Sequence, residues 1–172
     1  MFFLVDLDKN IRLHPKFFGP ELTRTLRARL QNDVEGQCTG RTGYIVSVTE
    51  ITKIGQGKIG ESSGYATFPI NYKAVVFKPF KGEVCDATVT KVTKVGFFAN
   101  VGPLPVFVSR HGIPDDMKYD PDHSPPRFVS EEAQVSIMED KEVRLKIMGV
   151  KTEANGLFAI GTIKEDYLGC LN

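Results

Sequence analysis

Two phenylalanines set among cations carry the most specific chemistry in this 172-residue sequence. In GFFANV and LPVFVSR, strict alternation sends Phe97, Ala99 and Val101 to one face and Phe98 to the other. Val106 and Val108 likewise face inward, leaving Phe107 and Ser109 outward. Phe98 is then expected on the outer face with Lys94 and Asn100. Arg110 and His111 stand beside Phe107, and Lys151 adds a cation from the later run EVRLKIMGVKT. Planar rings stack on bases without reading them, and cations track phosphates, so this set suits single-stranded RNA. The competing reading is that a long loop or a partner covers the same rings.

A second aromatic pair lies in His14-Pro15-Lys16-Phe17-Phe18-Gly19-Pro20, just ahead of a helix. On one reading, one ring staples the helix start and the other packs beneath a sheet. On the other, Phe17, Phe18, Gly19 and Pro20 form a corner that anchors a partner, because aromatic rings give large contact area for little entropy. Gly55, Gly57 and Gly60 match the G-x-G-x-x-G spacing, but TKIGQGKIGESSG runs into another strand and not into a helix, so no dinucleotide site is expected. The segment reads as a mobile turn, or as a loop that orders against a partner.

Catalysis finds little support. His14, His111 and His123 have no cysteine or carboxylate neighbour at metal-ligand or triad spacing. Asp115, Asp116, Asp120 and Asp122 lack the glycine and closing glutamate of a calcium loop. Cys38, Cys85 and Cys170 lie far apart with no CxxC pair, so reduced thiols are expected, with no metal and no cofactor.

The elements that must hold these residues follow from composition and periodicity. Hydrophobic residues make up 41% and charged residues 25%, an ordinary globular balance, and the net charge is +1 with no block of like charge. A tail-driven nucleic-acid binder is thereby excluded. No apolar run approaches the ~20 residues of a membrane span, and MFFLVDLDKN lacks the marks of a secretory signal, so an intracellular protein with no membrane partner is expected. The charge is unevenly divided: residues 1–80 hold 11 Lys and Arg against 7 Asp and Glu, whereas residues 81–172 hold 11 against 14.

Phe3, Val5 and Leu7 alternate in a strand from Phe2 to Leu13. A helix starting at Gly19-Pro20-Glu21 carries Leu22, Leu26, Leu30 and Val34 on one face and stops at Gly36. Strands are expected at 43–51, 64–70 and 71–79. VVFKPFKGEV then marks a boundary, giving domains 1–80 and 81–172. Beyond it come GEVCDATVTKVT, GFFANV, LPVFVSR, EVRLKIMGVKT and LFAIGTI, the strand count of an OB barrel. Residues 115–142, with Pro121, Pro125 and Pro126, read as an irregular surface loop. The expected fold class is an α+β domain, an antiparallel sheet with a packed helix, followed by an all-β five-stranded OB barrel.

GEVCDATVTKVTKVGFFANVGPLPVFVSR (82–110) resembles the OB-fold RNA-binding module first described as a repeat in a ribosomal protein. With HPKFFGP, DVEGQCTG, YKAVVFKPFKGEV and IKEDYLG added, the whole chain resembles the family of larger stalk subunits of nuclear RNA polymerases. VVFKPFKGEV and EDYLG favour the seventh-largest subunits of RNA polymerase II over those of polymerase III. The resemblance implies a ribonucleoprotein-like tip domain that docks on the RNA polymerase II core near the clamp. Phe17, Phe18, Gly19, Pro20, Gly55, Gly57 and Gly60 are its candidate docking residues. It further implies a heterodimer with the fourth-largest RNA polymerase II subunit, a nuclear location, and capture of single-stranded nascent RNA in initiation and elongation, without catalysis. The strongest RNA-binding forms of the module carry an aromatic where this chain has Val95 and a histidine where it has Ser109, so weak, non-specific binding is expected. The alternatives are a polymerase III stalk subunit or a free-standing OB-fold RNA-binding factor, the latter with a more basic OB half; a small hydrolase built on the acidic loop ranks behind both.

Overall fold

In the computed structural model, residues 1–61, 63–130, 135–153 and 156–171 are described. The expected alternation produces β1 (Phe2–Leu13), with Val5, Leu7, Lys9, Ile11 and Leu13 on its inner face. Phe3 has the inward parity but remains exposed. Helix α1 (Leu22–Val34) follows, with Leu26, Leu30 and Val34 buried and Leu22 half-buried. Full burial of each leucine is worth roughly 1.5–3 kcal/mol. The helix begins slightly later than Gly19-Pro20-Glu21 suggests, since Glu21 is the capping residue. Gly36, at φ +77°, ends it in the left-handed region that glycine occupies without strain. Lys9 reaches from the sheet to donate to the Asp33 carbonyl at 2.9 Å, a cation at the helix C-terminus where the dipole favours it.

Short β2 (Cys38–Thr39) leads into β3 (Gly43–Ile54), β4 (Lys58–Ile59) and β5 (Ala66–Phe77), in an antiparallel sheet ordered β1-β5-β3-β2 with β4 also on β5. Bulges between Ile45/Ser47, Val48/Glu50 and Ile51/Lys53 turn the burial period of β3 from two to three, so Ile45, Val48, Ile51 and Ile54 all face the helix side. The two strands expected at 64–70 and 71–79 are one. Pro69 sits inside β5 because its missing N–H faces the gap between β3 and β4, where its carbonyl accepts from the Gly55 N–H at 2.7 Å.

The chain divides into two compact units, Met1–Lys78 and Pro79–Asn172. In the second, β6 (Val84–Thr93), β7 (Gly96–Val101) and β8 (Leu104–Ser109) form an antiparallel meander. An excursion contains β9 (Met117–Asp120), β10 (Arg127–Ser130) and β11 (Val135–Ile137). Then come β12 (Glu142–Glu153), β13 (Gly156–Thr162) and β14 (Gly169–Cys170). β12 pairs with both β6 and β13, and β13 pairs in parallel with β8, so five strands close into a barrel. Phe97, Val106, Val108, Leu145, Ile147 and Ala159 fill it, each 0% exposed.

Apart from residues 131–134, which lie outside the described residues, the acidic, proline-rich segment is not an irregular loop. It is a three-stranded antiparallel sheet with Met117, Phe128 and Ile137 buried. Its prolines concentrate in the turn between β9 and β10, where no ladder donor is needed, and leave the flanking apolar residues free to pair.

Candidate nucleic-acid interface

Phe98 and Phe107 occupy facing positions on β7 and β8, with ring centroids 4.8 Å apart and planes inclined by 43°. Their chain neighbours Phe97, Val106 and Val108 are fully buried, which fixes both rings on the outer face. Phe98 is 36% exposed and Phe107 is half-buried, whereas Phe128 of the inserted sheet is 0% exposed.

Cross-strand register extends the pair into a row. Lys91 faces Phe98 from β6, Ile160 neighbours Phe107 from β13, and Gly149 faces Ile160 from β12. Along β13, Phe158 has the same outward parity as Ile160 and faces Lys151. At the opposite end, Thr93 pairs with Gly96, and Lys94 and Val95 form the two-residue turn between β6 and β7. Gly96 has φ +146°, and a Cβ there would fall 2.1 Å from the Val108 carbonyl oxygen, so this hairpin closes tightly only on glycine. Val95 projects from the tip with 66% exposure. Lys94 therefore belongs to the hairpin tip and not to the strand face where alternation places it.

The cations differ in availability. Arg127, Arg144, Lys146 and Lys164 are engaged by Asp120, Asp86, Glu165 and Asp115 respectively. Arg110 is half-buried, donating from Nη1 to the Pro114 carbonyl at 3.3 Å, with its guanidinium carbon 5.8 Å from the Phe128 ring centroid. It braces the inserted sheet and does not stand free beside Phe107. His111 is exposed in the 3-10 turn Arg110–Gly112. Lys91, Lys94 and Lys151 are exposed and have no salt-bridge partner among the described residues. Two aromatics thus lie between unpaired ammonium groups.

Alternation found Phe98 and Phe107 but missed Lys91 and Phe158. Strict period two from Cys85, Ala87 and Val89 points Lys91 inward. The bulge between Val89 and Lys91 turns Thr90 and Lys91 outward in succession and returns Val92 to the core. The three-residue spacing of Val89 and Val92 is the signal of that bulge. Phe158 was legible from the alternation in LFAIGTI.

In the first unit, Phe17 and Phe18 are 43% and 42% exposed, so neither is a core staple. They end a 3-10 turn capped by His14, whose Nδ1 accepts from the Lys16 N–H at 3.1 Å, and the Lys16 Nζ lies 4.8 Å from the Phe17 ring centroid. Gly19 has open space where a Cβ would stand. Gly55 and Gly57 are closely packed: a Cβ on Gly55 would meet Pro69 Cγ at 2.6 Å, and one on Gly57 the Phe68 ring at 2.5 Å. Gly60 closes a turn, accepting from the Gly64 N–H and donating to the Tyr65 carbonyl. The ribbon they belong to pairs through β4 with the strand it precedes, so this G-x-G-x-x-G match opens no helix N-terminus of the kind that cradles a phosphate.

Comparison with known proteins matches both units. Residues 8–64 fit the family described as the SHS2 domain found in the N terminus of Rpb7p/Rpc25p/MJ0397, and residues 78–159 fit the S1 RNA binding domain. The chain is 51% identical over 171 residues to DNA-directed RNA polymerase II subunit rpb7 of Dictyostelium discoideum, covering 99% of each. It is 49% identical over 172 residues to RPB7 of Glycine max, covering 100% of this chain and 97% of the relative. The Saccharomyces cerevisiae RPB7 is 44% identical over 173 residues, covering 99% and 100%. The chain belongs to the RPB7 family of RNA polymerase II subunits. This family contributes a non-catalytic polymerase subunit, and among the described residues no cluster of His, Cys, Asp and Glu is arranged to hold a metal ion. An RPB7-type chain accordingly pairs an SHS2 unit, with one helix on its sheet, with an S1 barrel whose outer face carries Phe98 and Phe107. Among the described residues, no helix is long and apolar enough to cross a membrane.

Proposed function

We propose that this chain works in the nucleus as the larger member of the RNA polymerase II stalk, paired with the fourth-largest subunit. Its first unit docks on the polymerase core near the clamp, and its barrel receives single-stranded RNA as it emerges during initiation and elongation. The observation that carries the RNA reading is the facing pair Phe98 and Phe107 with unpaired Lys91, Lys94 and Lys151 around it. Bases stack on the rings and the ammonium groups follow the phosphates, a combination tolerant of sequence. The surplus of acidic residues in 81–172 limits long-range attraction, so capture is weak unless the polymerase delivers the RNA.

The docking reading is supported by Phe17 and Phe18, two exposed rings at one corner beside Gly19, where a partner backbone can approach. Photo-crosslinking of nascent RNA on transcribing polymerase tests the first reading. Adducts are expected between Lys91 and His111 or between Lys151 and Ile160, and adducts confined to the partner subunit or to residues 1–78 would overturn it. Co-expression tests the second: a stable heterodimer that joins the core is expected, with Phe17→Ala and Phe18→Ala together weakening core association but leaving the heterodimer intact.

A further inference from the structure

The first turns of α1 and the far half of β3 enclose a groove of about 780 Å³ that neither reading above uses. Its walls carry Arg24 and Arg27 from the helix and Lys53 from the strand, and its floor is the half-buried pair Ile51 and Ile54. The bulges of β3 create this arrangement. They keep Ile51 and Ile54 toward the helix while turning Thr52 and Lys53 outward together, so a cation stands on the rim beside an aliphatic floor. Glu21 is the acidic lining residue, and it is 3.6 Å from Arg24. Arg27 and Lys53 have no salt-bridge partner among the described residues.

We infer that this groove binds an acidic peptide segment of the polymerase body, with an aliphatic side chain set against Ile51 and Ile54 and carboxylates placed on Arg27 and Lys53. The inference rests on the docking reading and names the chemistry of the docked partner. Charge complementarity selects the occupant, because unpaired cations line a groove in a unit with more basic than acidic residues. The lining contains no aromatic ring on which a base would stack, unlike the outer face of the barrel, so a peptide fits better than RNA. A floor of two isoleucines offers a peptide side chain a place to shed water, which phosphodiester chains do not exploit.

The test uses the heterodimer assembled with complete RNA polymerase II. A benzoylphenylalanine photo-crosslinker is placed in turn at Thr23 and Thr52, on the two walls of the groove, and at Phe18 as the reference for docking. Both wall positions are expected to crosslink to one and the same protein segment, with a clear excess of Asp and Glu. No adduct from the walls, an adduct to RNA, or an adduct to a neutral or basic segment would overturn the inference. If Phe18 crosslinks while the walls do not, the groove fails and docking stands; if Phe18 also fails, the docking reading falls with it. In parallel, Arg27→Glu with Lys53→Glu should weaken core association at least tenfold at low salt, and the deficit should shrink at high salt. Arg27→Lys with Lys53→Arg should retain binding. Equal affinity of the charge-reversed and native chains, with the heterodimer intact, would sink the proposal.

Discussion

Phe98 and Phe107 meet across β7 and β8 at a centroid distance of 4.8 Å with planes inclined by 43°. A tilted aromatic pair of this kind contributes about 0.5–1.5 kcal/mol beyond the area it buries. Each ring is therefore held by the other, and on the proposed RNA reading little side-chain entropy would remain to be lost if a base stacked on them. The closed barrel beneath supplies the rigidity, since the side chains alternating with these rings are all core residues.

If the pair is a stacking platform, Phe98→Ala or Phe107→Ala should weaken single-stranded RNA binding by roughly 1–3 kcal/mol, with little dependence on base identity. Lys91→Ala should behave differently, flattening the slope of log affinity against log salt by roughly 0.7 for one lost phosphate contact. Fluorescence anisotropy of the heterodimer with oligouridine and mixed-sequence RNA across a salt series reads both. Arg110→Ala should leave the slope nearly unchanged, because that guanidinium is committed to Pro114 and Phe128.

The glycines of the first unit divide by what surrounds them. Gly55→Ala sets a Cβ 2.6 Å from the rigid Pro69 ring, and an overpacked site of this kind costs typically about 1–3 kcal/mol. Gly57→Ala should cost less, since its obstacle is a phenylalanine ring that can shift. Gly19→Ala meets nothing within 4 Å and should change stability by under about 0.5 kcal/mol. Urea unfolding of the three variants gives the order, and a destabilised Gly19→Ala would place that corner inside a packed surface.

Acid should weaken the barrel unit through its surface pairs. A hydrogen bond from Arg144 holds the Asp86 carboxyl below its ordinary range, and Lys164 and Arg127 do the same for Asp115 and Asp120. Folded values below unfolded ones mean that the stabilisation is complete above the ordinary Asp range, about 3.9. It is then lost as pH falls through the lowered values. Asp86→Asn should cost a small amount of stability at pH 7, as exposed pairs do. The gap between it and the native protein in urea midpoint should close on acidification, whereas a pH-independent gap would assign Asp86 a packing role.

Long periodic elements were legible because one local rule governs them. Leu26, Leu30 and Val34 at fourfold spacing allow no other face for α1, and the inward valines of β8 settle Phe107. What escaped the sequence was set by partners distant along the chain. Lys91 turns outward because of a bulge against β7, Pro69 is tolerated because β3 and β4 leave a gap opposite it, and Arg110 is drawn away from Phe107 by Phe128. Gly55 and Gly57 mark close approach to β5, which composition alone cannot distinguish from a mobile turn.

The inserted sheet provides the sharpest test of that distinction. Phe128 is 0% exposed, with Tyr119 at a ring-centroid distance of 5.4 Å and the Arg110 guanidinium over its face. A phenylalanine in an irregular surface loop would lose little on truncation, whereas a fully buried one loses its transfer energy and leaves a cavity. Phe128→Ala should cost about 3–5 kcal/mol, and Phe128→Leu should recover much of that loss. Hydrogen exchange localises the effect: amides of β9–β11 should lose protection first, with those of α1 unaffected. Because Arg110 loses its aromatic partner in the same variant, its guanidinium is released beside the Lys94–Val95 turn, where the Arg110 N–H bonds the Val95 carbonyl, and the salt slope for RNA should steepen. A variant of native stability would show that the β9–β11 sheet stands apart from the barrel core, and an unchanged salt slope would show that Arg110 is held by Pro114 alone.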